Sequence, residues 1–319
     1  MTQTLLALLQ DGKFHSGEAL GCALGVSRSA VWKQLQCLQA EFGIQIHSVP
    51  GRGYRLESAL GALDVQKISA AGVSWPVYVH ERIDSTNSEA LRAIAAGLGA
   101  PFLVLAELQT NGRGRRGRDW LSPYGQNVYC SLAWRIEGGL RHLDGLSLVV
   151  GLAVLRALRG VGLVGGGLKW PNDILVDGRK IGGVLLELVG DPADVCHVVI
   201  GVGVNANMQM DGGKINQPWT SLRAELGVAV DRCALVAALA LQLEDVLARH
   251  RRDGFAELRS EWEAVHLWQG CMVTLSTAQR DVVGVVMGVD HSGALRLCVD
   301  GEECVFSGGE ISLRLRDDS

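Results

Sequence analysis

Val31, Leu35, Leu38 and Phe42 recur at i, i+4, i+7 and i+11, a spacing that gathers into one apolar stripe only on a helix. Ser27 stands where the N-cap oxygen of that helix is needed, and Gly25-Val26 turns the chain just before it. Ser16 can cap an earlier helix carrying Ala19, Leu20 and Leu24, and Leu5, Leu6, Leu8 and Leu9 suggest a short one before that. Helix, glycine turn, helix is the helix-turn-helix pattern. Ile44 to His47 then alternates as a strand, Pro50 to Gly53 turns, and Tyr54-Arg55-Leu56 returns. That hairpin reads as a wing.

The period changes after Leu56. Between about Leu60 and His266, strands are expected over 101–107, 127–134, 180–188 and 195–202, with another near Tyr78 to His80. Helices are expected over 143–158, 232–249 and 254–265. This is a mixed α/β segment of enzyme size. From about Trp268 onward the pattern is short strands, 271–275, 281–289, 294–299 and 303–306, broken by Asp290-His-Ser-Gly293 and Asp300-Gly301. A small β-barrel is expected there. The fold class is therefore α/β multidomain: a winged helix-turn-helix over 1–60, a mixed α+β domain over 61–267 and a barrel over 268–319. The 41 glycines against 7 prolines, with no G-X-Y period, imply many turns and close backbone approaches.

A net charge of −4 argues against a uniformly basic protein. The first 56 residues differ: Lys13, Arg28, Lys33, Arg52 and Arg55 face only Asp11, Glu18 and Glu41. Outside the apolar stripe, the third helix leaves Arg28, Ser29, Trp32, Lys33 and Gln36, with Ser27 at its start, able to reach phosphates and base edges in a major groove. Arg52 at the wing tip is a candidate backbone or minor-groove contact. The bland reading is a three-helix interaction module with ordinary surface charges. The apolar start has no basic flank and no small-residue cleavage site, so it does not read as a signal peptide. No apolar run is long enough to span a bilayer, and no membrane partner is expected. Eight scattered cysteines form no CxxC pair, which disfavours structural zinc and suits reduced thiols in a cytoplasmic protein.

Gly112-Arg-Gly-Arg-Arg-Gly117 matches GxGxxG literally, but the following Asp119 to Gly125 contains Pro123 and reads as loop, not as the helix a dinucleotide site needs. Nor is it a P-loop, because Arg118-Asp119 replaces Lys-Ser/Thr. What remains is a glycine-rich loop bearing Arg113, Arg115, Arg116 and Arg118. Such cations repel one another unless an anion sits among them, so a phosphate or carboxylate site is the preferred reading over a solvated loop. Asp84-Ser-Thr-Asn-Ser88 supplies helix caps and more hydroxyls than capping needs. In Lys169-Trp-Pro-Asn-Asp173, an ion pair suits Lys169 about as well as a ligand does; Lys180, entering an apolar strand, favours a ligand. The glycines of Gly201-Val-Gly-Val-Asn205 suit close approach to a ligand or a neighbouring strand.

Taken together, SRSAVWKQLQ (27–36), VPGRGY (49–54), DSTN (84–87), QTNGRGRRGRDWLSP (109–123), KWPNDI (169–174), RKIGGVLLE (179–187), GVGVN (201–205) and GGEISLR (308–314) resemble the bifunctional biotin–protein ligase/biotin-operon repressor family (BirA-type). The resemblance runs along nearly the whole chain in the family's order. It implies a biotin-ligase catalytic domain in the centre and an SH3-like barrel at the end. It implies that biotin and ATP give biotinyl-5'-adenylate and pyrophosphate, and that a lysine of the biotin carboxyl carrier protein of acetyl-CoA carboxylase then takes the biotin. By the same resemblance, Ser85, Thr86, Asn87, Gln109, Arg113, Gly114, Arg115 and Lys180 bind biotin. Arg118, Trp120, Lys169, Asn172, Asn205 and Trp219 bind ATP or the adenylate, with Trp219 closing over adenine. Arg115, Lys180 and Asp173 form the catalytic set, Asp173 also being the candidate base and magnesium ligand. The repressor half implies biotin-operator DNA as a partner and a homodimer promoted by biotinyl-adenylate. Two alternatives are a small-acid-sensing transcription regulator without ligase activity and a lipoate–protein ligase.

Overall fold

The computed structural model describes residues 2–56, 61–136, 143–190, 196–210, 212–277, 280–308 and 312–315. The first helices are α1 (Thr2–Leu9), α2 (Gly17–Leu24) and α3 (Arg28–Phe42), followed by the antiparallel hairpin β1 (Ile46–Val49) and β2 (Gly53–Leu56). Ser16 and Ser27 cap α2 and α3, accepting from the amides of Ala19 and Ala30. The stripe Val31, Leu35, Leu38 and Phe42 is buried against Leu5, Leu6, Leu9, Leu20 and Leu56. Each such side chain withdrawn from water stabilises the module by about 1.5–3 kcal/mol. The wing has a third rung: His15 and Tyr54 exchange backbone hydrogen bonds of 2.9 and 2.8 Å. Tyr124, from the central part of the chain, joins this core with its ring 4.8 Å from that of Phe42, edge to face.

The centre is built on a seven-stranded sheet. Its elements are α4 (Val65–Ala70), β3 (Val77–Ile83), α5 (Thr86–Ala95), β4 (Phe102–Gln109), β5 (Val128–Ile136), α6 (Leu146–Gly160), β6 (Gly167–Lys169), β7 (Asp173–Val176), β8 (Arg179–Gly190), β9 (Cys196–Val204), α7 (Leu222–Leu226), α8 (Arg232–Asp253) and α9 (Ala256–Glu263). The strand order is β3-β4-β5-β9-β8-β7-β6. Only β3 and β4 run parallel, joined by the crossover through α5; every other pair is antiparallel. Helix α6 is apolar almost all round because it lies between the sheet and α8. It begins at Leu146, three residues after the expected start. Gly145 takes the left-handed conformation at its N-cap, and an added Cβ there would collide with the Phe255 ring.

One buried ion pair ties the approach to this sheet. Arg232 of α8 lies 2.6 Å from Glu107 of β4, with side chains 2% and 7% exposed. The other Glu107 oxygen accepts the Leu63 amide at 2.6 Å. Every oxygen of the carboxylate is satisfied, as burial demands.

The last strands, β10 (Met272–Ser276), β11 (Asp281–Val289), β12 (Leu295–Val299), β13 (Glu302–Phe306) and β14 (Ser312–Leu315), pair antiparallel in the order β13-β12-β11-β10-β14. Among the described residues no pairing joins β13 to β14, so the expected barrel is present as a five-stranded sheet without closure. Strand β14 had no expected counterpart; part of the 308–314 motif, residues 309–311, lies outside the described residues. No helix among the described residues is long and apolar enough to cross a membrane. All eight cysteines are free thiols.

Candidate active site

A cavity of about 1040 Å³ opens against β4, β5, β8 and β9, roofed by the glycine-arginine loop. Ser85, Thr86, Asn87, Gln109, Arg113, Gly114, Arg115, Arg118, Trp120, Lys169, Asn172, Asp173 and Lys180 all line it. Three stretches that are far apart in sequence thus meet around one space.

At one end the groups are hydroxyls and amides. Gln109 Oε1 accepts from the Thr86 amide at 2.8 Å and from its hydroxyl at 3.1 Å, and Gln109 Nε2 donates to Ser122 at 2.9 Å. Ser131 Oγ contacts Thr86 Oγ1 at 2.8 Å and Asn87 Oδ1 at 2.5 Å. Ser85 occupies the N-cap of α5 but makes no side-chain capping bond; Asp84 instead holds Arg92 through two bonds of 2.7 and 2.9 Å. The Arg92 guanidinium keeps the Asp84 carboxyl down at about 2. Asn87 seats on Gly201, where any Cβ would strike its amide, and the Trp120 indole seats on Gly203, where a Cβ would lie 2.5 Å from Cε2. The glycines of 201–205 therefore admit these two side chains to the sheet.

At the other end the cations are not left to repel one another. Arg113 donates to both oxygens of Glu187 at 3.0 and 3.1 Å and to Ser88 at 2.8 Å. Its expected anion is thus met by Glu187 of β8, the last residue of the RKIGGVLLE stretch, to which the sequence reading gave no role. Glu187 also accepts from Asn87 at 2.6 Å. Arg115 donates to Asn172 Oδ1 at 3.2 Å, while Asn172 Nδ2 donates to the Val184 carbonyl at 2.8 Å. Burial lowers the Arg115 pKa, against the pull of Asp173. Lys180 Nζ lies 2.6 Å from Asp173 Oδ1, and Lys169 Nζ lies 3.9 Å from Oδ2. Burial also lowers Lys169, opposed by Asp173. Both lysines therefore share an ion pair while lining the cavity, so for Lys180 the expected ligand role comes with a structural partner.

Asp173 is a poor fit for a protein-held magnesium ion. Its two oxygens already face ammonium groups, and no group of three or more His, Cys, Asp or Glu side chains suited to a metal occurs among the described residues.

Asn205 and Trp219 sit apart from the main cavity, in a smaller one that shares Trp120 and Lys180 with it. Asn205 is buried, and its amide donates to the carbonyls of Thr220 at 3.0 Å and Lys180 at 3.4 Å. Its amide nitrogen thus clips two backbone carbonyls while the residue lines this smaller cavity. A wider open cleft of about 2780 Å³ continues past Arg118, Lys169 and Lys180 to Lys214 and Arg314, two cations that sequence reasoning did not assign.

On the first module, Arg28, Ser29, Trp32, Lys33 and Gln36 all lie exposed along α3, with Trp32 48% exposed. Ser27 serves as the cap and touches Ser29 Oγ at 2.9 Å. Arg52 stacks on Phe14 at 4.4 Å, with Arg55 against the same ring at 4.8 Å.

Two family models match stretches of this chain. A helix-turn-helix domain model matches residues 2–55, and the model of the biotin/lipoate A/B protein ligase family matches residues 79–205. The chain is 40% identical over 312 residues to the bifunctional ligase/repressor BirA of Salmonella typhimurium, covering 98% of this chain and 97% of the relative. It is 40% identical to the protein of that name from Escherichia coli, covering 97% and 96%. Among solved structures, the biotin protein ligase from Aquifex aeolicus in complex with biotin and ATP superposes with a TM-score of 0.67 at 27% identity, covering 76% of this chain and 99% of that one. With that similarity running the length of both chains, the protein belongs to the family of bifunctional biotin–protein ligase/repressors.

Proposed function

We propose that this chain activates biotin with ATP, transfers it to a lysine of a biotin carboxyl carrier protein, and represses biotin-operon transcription. The observation that carries the reading is the convergence of the DSTN, GRGRRG and KWPND side chains on one cavity, in a chain that matches bifunctional ligase/repressors end to end.

The cavity's two ends suit the two ends of biotin. The hydroxyls and amides of Ser85, Thr86 and Gln109 offer donors and acceptors to a ureido ring, and Val184, Leu185 and Val202 give apolar wall to the remainder. Arg115, with Arg118 and Lys180, faces the place where carboxylate and α-phosphate would meet. Cations there stabilise the negative charge that develops as the carboxylate oxygen attacks phosphorus and pyrophosphate leaves. Arg113 acts by fixing the loop to Glu187. Asp173 holds Lys180 in place, and the second step proceeds mainly by holding the acceptor amine near an already activated anhydride. Magnesium belongs with the ATP phosphates in this reading. Trp219 forms the wall for adenine, beside Trp120. The exposed face of α3 and the wing arginine carry operator binding. Dimerisation on biotinyl-adenylate brings two such modules to a two-fold site, and the C-terminal sheet stands beside the cleft in the place of the family's SH3-like barrel.

Incubation of the protein with biotin, labelled ATP and a carboxyl carrier domain tests the enzymatic half. Biotin-dependent pyrophosphate release and a biotinylated acceptor are the expected results. Lipoate in place of biotin should give neither; ligand binding without pyrophosphate would instead identify a sensor. A gel shift on biotin-operon promoter DNA, strengthened by biotin plus ATP, tests the repressor half.

A further inference from the structure

Residues 218–220 run beside the start of β8 as a short bridge. The Lys180 amide donates to the Pro218 carbonyl at 2.9 Å, and the Thr220 amide donates to the Lys180 carbonyl at 2.9 Å. In such an extended segment, neighbouring side chains point to opposite sides. Trp219 faces the cavity it shares with Trp120 and Lys180. Thr220 faces the other way and is buried.

Behind Thr220 stands Glu225, on the five-residue helix α7. The Thr220 hydroxyl donates to Glu225 Oε1. Arg179 lies 3.0 Å from that oxygen and 3.3 Å from Oε2, and its other Nη donates to Thr220 Oγ1 at 3.4 Å. The three side chains close a triangle on the rear of the bridge. Asp177, 3.8 Å from Arg179, is 85% exposed and adds little. Asn205 holds the Thr220 carbonyl from the remaining side.

We propose that Glu225 is a positioning residue for the nucleotide. By fixing Thr220 and Arg179 together it sets the register of residues 218–220 on Lys180. That register sets where the Trp219 ring stands relative to the Lys180 ammonium. None of the ligand motifs contains Glu225, and it lines none of the cavities around Lys180 and Trp219. Its effect therefore runs through Trp219, and the proposal rests on Trp219 being the adenine wall.

The test is steady-state adenylate formation by the full-length protein, read as pyrophosphate release. Glu225→Ala is expected to raise the KM for ATP about tenfold, the scale of one lost charge-assisted hydrogen bond. The KM for biotin should stay within about twofold, since the biotin end is held by other elements. Glu225→Gln, which still accepts from Thr220 but loses the charge facing Arg179, should fall between wild type and Glu225→Ala. In a Trp219→Ala background, Glu225→Ala should add little, because it acts through the ring that is already gone. Should Glu225→Ala fold poorly, Glu225→Gln and Arg179→Gln carry the same reading through the same ratio of the two KM values. An unchanged KM for ATP, or equal rises for ATP and biotin, overturns the proposal. If Trp219→Ala itself leaves the KM for ATP unchanged, the adenine reading fails and the positioning role falls with it. If Trp219→Ala raises it and Glu225→Ala does not, only the positioning role fails.

Discussion

His266 makes a direct test of how the C-terminal sheet is anchored to the central part of the chain. It follows α9, is 6% exposed, and stacks on Trp262 with ring centroids 4.5 Å apart. Its Nδ1 faces Gln269 Oε1 at 3.5 Å, and its Nε2 is buried with no hydrogen-bond partner among the described residues. A proton on Nε2 would create a buried, unpaired cation. Burial accordingly lowers the pKa from 6.5 to about 4, against a small upward pull from the Gln269 hydrogen bond and from Glu263. The folded chain therefore binds fewer protons than the unfolded one below pH 6.5. Stability is full above that value and falls as the pH drops towards 4. Linkage with these two values gives essentially no penalty at pH 7.5 and about 2 kcal/mol at pH 5. His266→Phe keeps a ring on Trp262 and removes the titration. In urea unfolding followed by tryptophan fluorescence, the wild type should lose about 2 kcal/mol more than His266→Phe between pH 7.5 and pH 5. Equal losses in the two proteins would refute the argument, whatever the variant's absolute stability.

Three further outcomes follow from particular contacts. Gly203→Ala places a methyl 2.5 Å from the Trp120 indole; displacing the ring should cost about 1–3 kcal/mol in urea unfolding and weaken both biotin and ATP in adenylate assays. Arg232→Met leaves the Glu107 carboxylate buried without its cation and should destabilise the chain by about 3–5 kcal/mol, measured by urea unfolding at pH 7. Lys33→Ala, on the exposed face of α3, should weaken operator binding in fluorescence anisotropy and reduce the slope of log K against log salt by about one, leaving adenylate formation unchanged.

The first module was legible because its helices have one dry face each. Val31, Leu35, Leu38 and Phe42 write that face directly into the spacing, and Ser16 and Ser27 mark the starts. Helix α6 was less legible for the opposite reason. It is buried on nearly every side, so apolar residues run without a period and do not show where the helix begins. The boundary is set by the left-handed turn at Gly145, against the Phe255 ring, a contact between residues 110 positions apart. Strand β14 is four residues long with only Leu313 buried among those whose exposure is described, which leaves almost no alternation to read.

At the site, sequence showed which side chains bear charge but not which charges are already answered. Four arginines in the 113–118 loop, with no acid inside the cluster, argued for a bound anion. The fold supplies one from 74 residues away, Glu187, and gives it to Arg113. Asp173 likewise answers Lys180 and, more distantly, Lys169. Arg115 stands differently. It donates to the neutral Asn172 amide oxygen, and burial lowers its pKa against the pull of Asp173. A guanidinium made less comfortable by desolvation gains most when a carboxylate or phosphate arrives beside it. The Arg113–Glu187 pair takes one guanidinium out of the anion argument, and the burial of Arg115 gives that residue the most to gain from a bound anion. Arg115→Gly should shorten the retention of biotinyl-adenylate in a pulse-chase measurement far more than Arg116→Gly, whose side chain is exposed at the loop's surface. Equal effects of the two would mean that the loop binds as a diffuse positive field, and that the pairing of Arg113 with Glu187 has no bearing on where the anion sits.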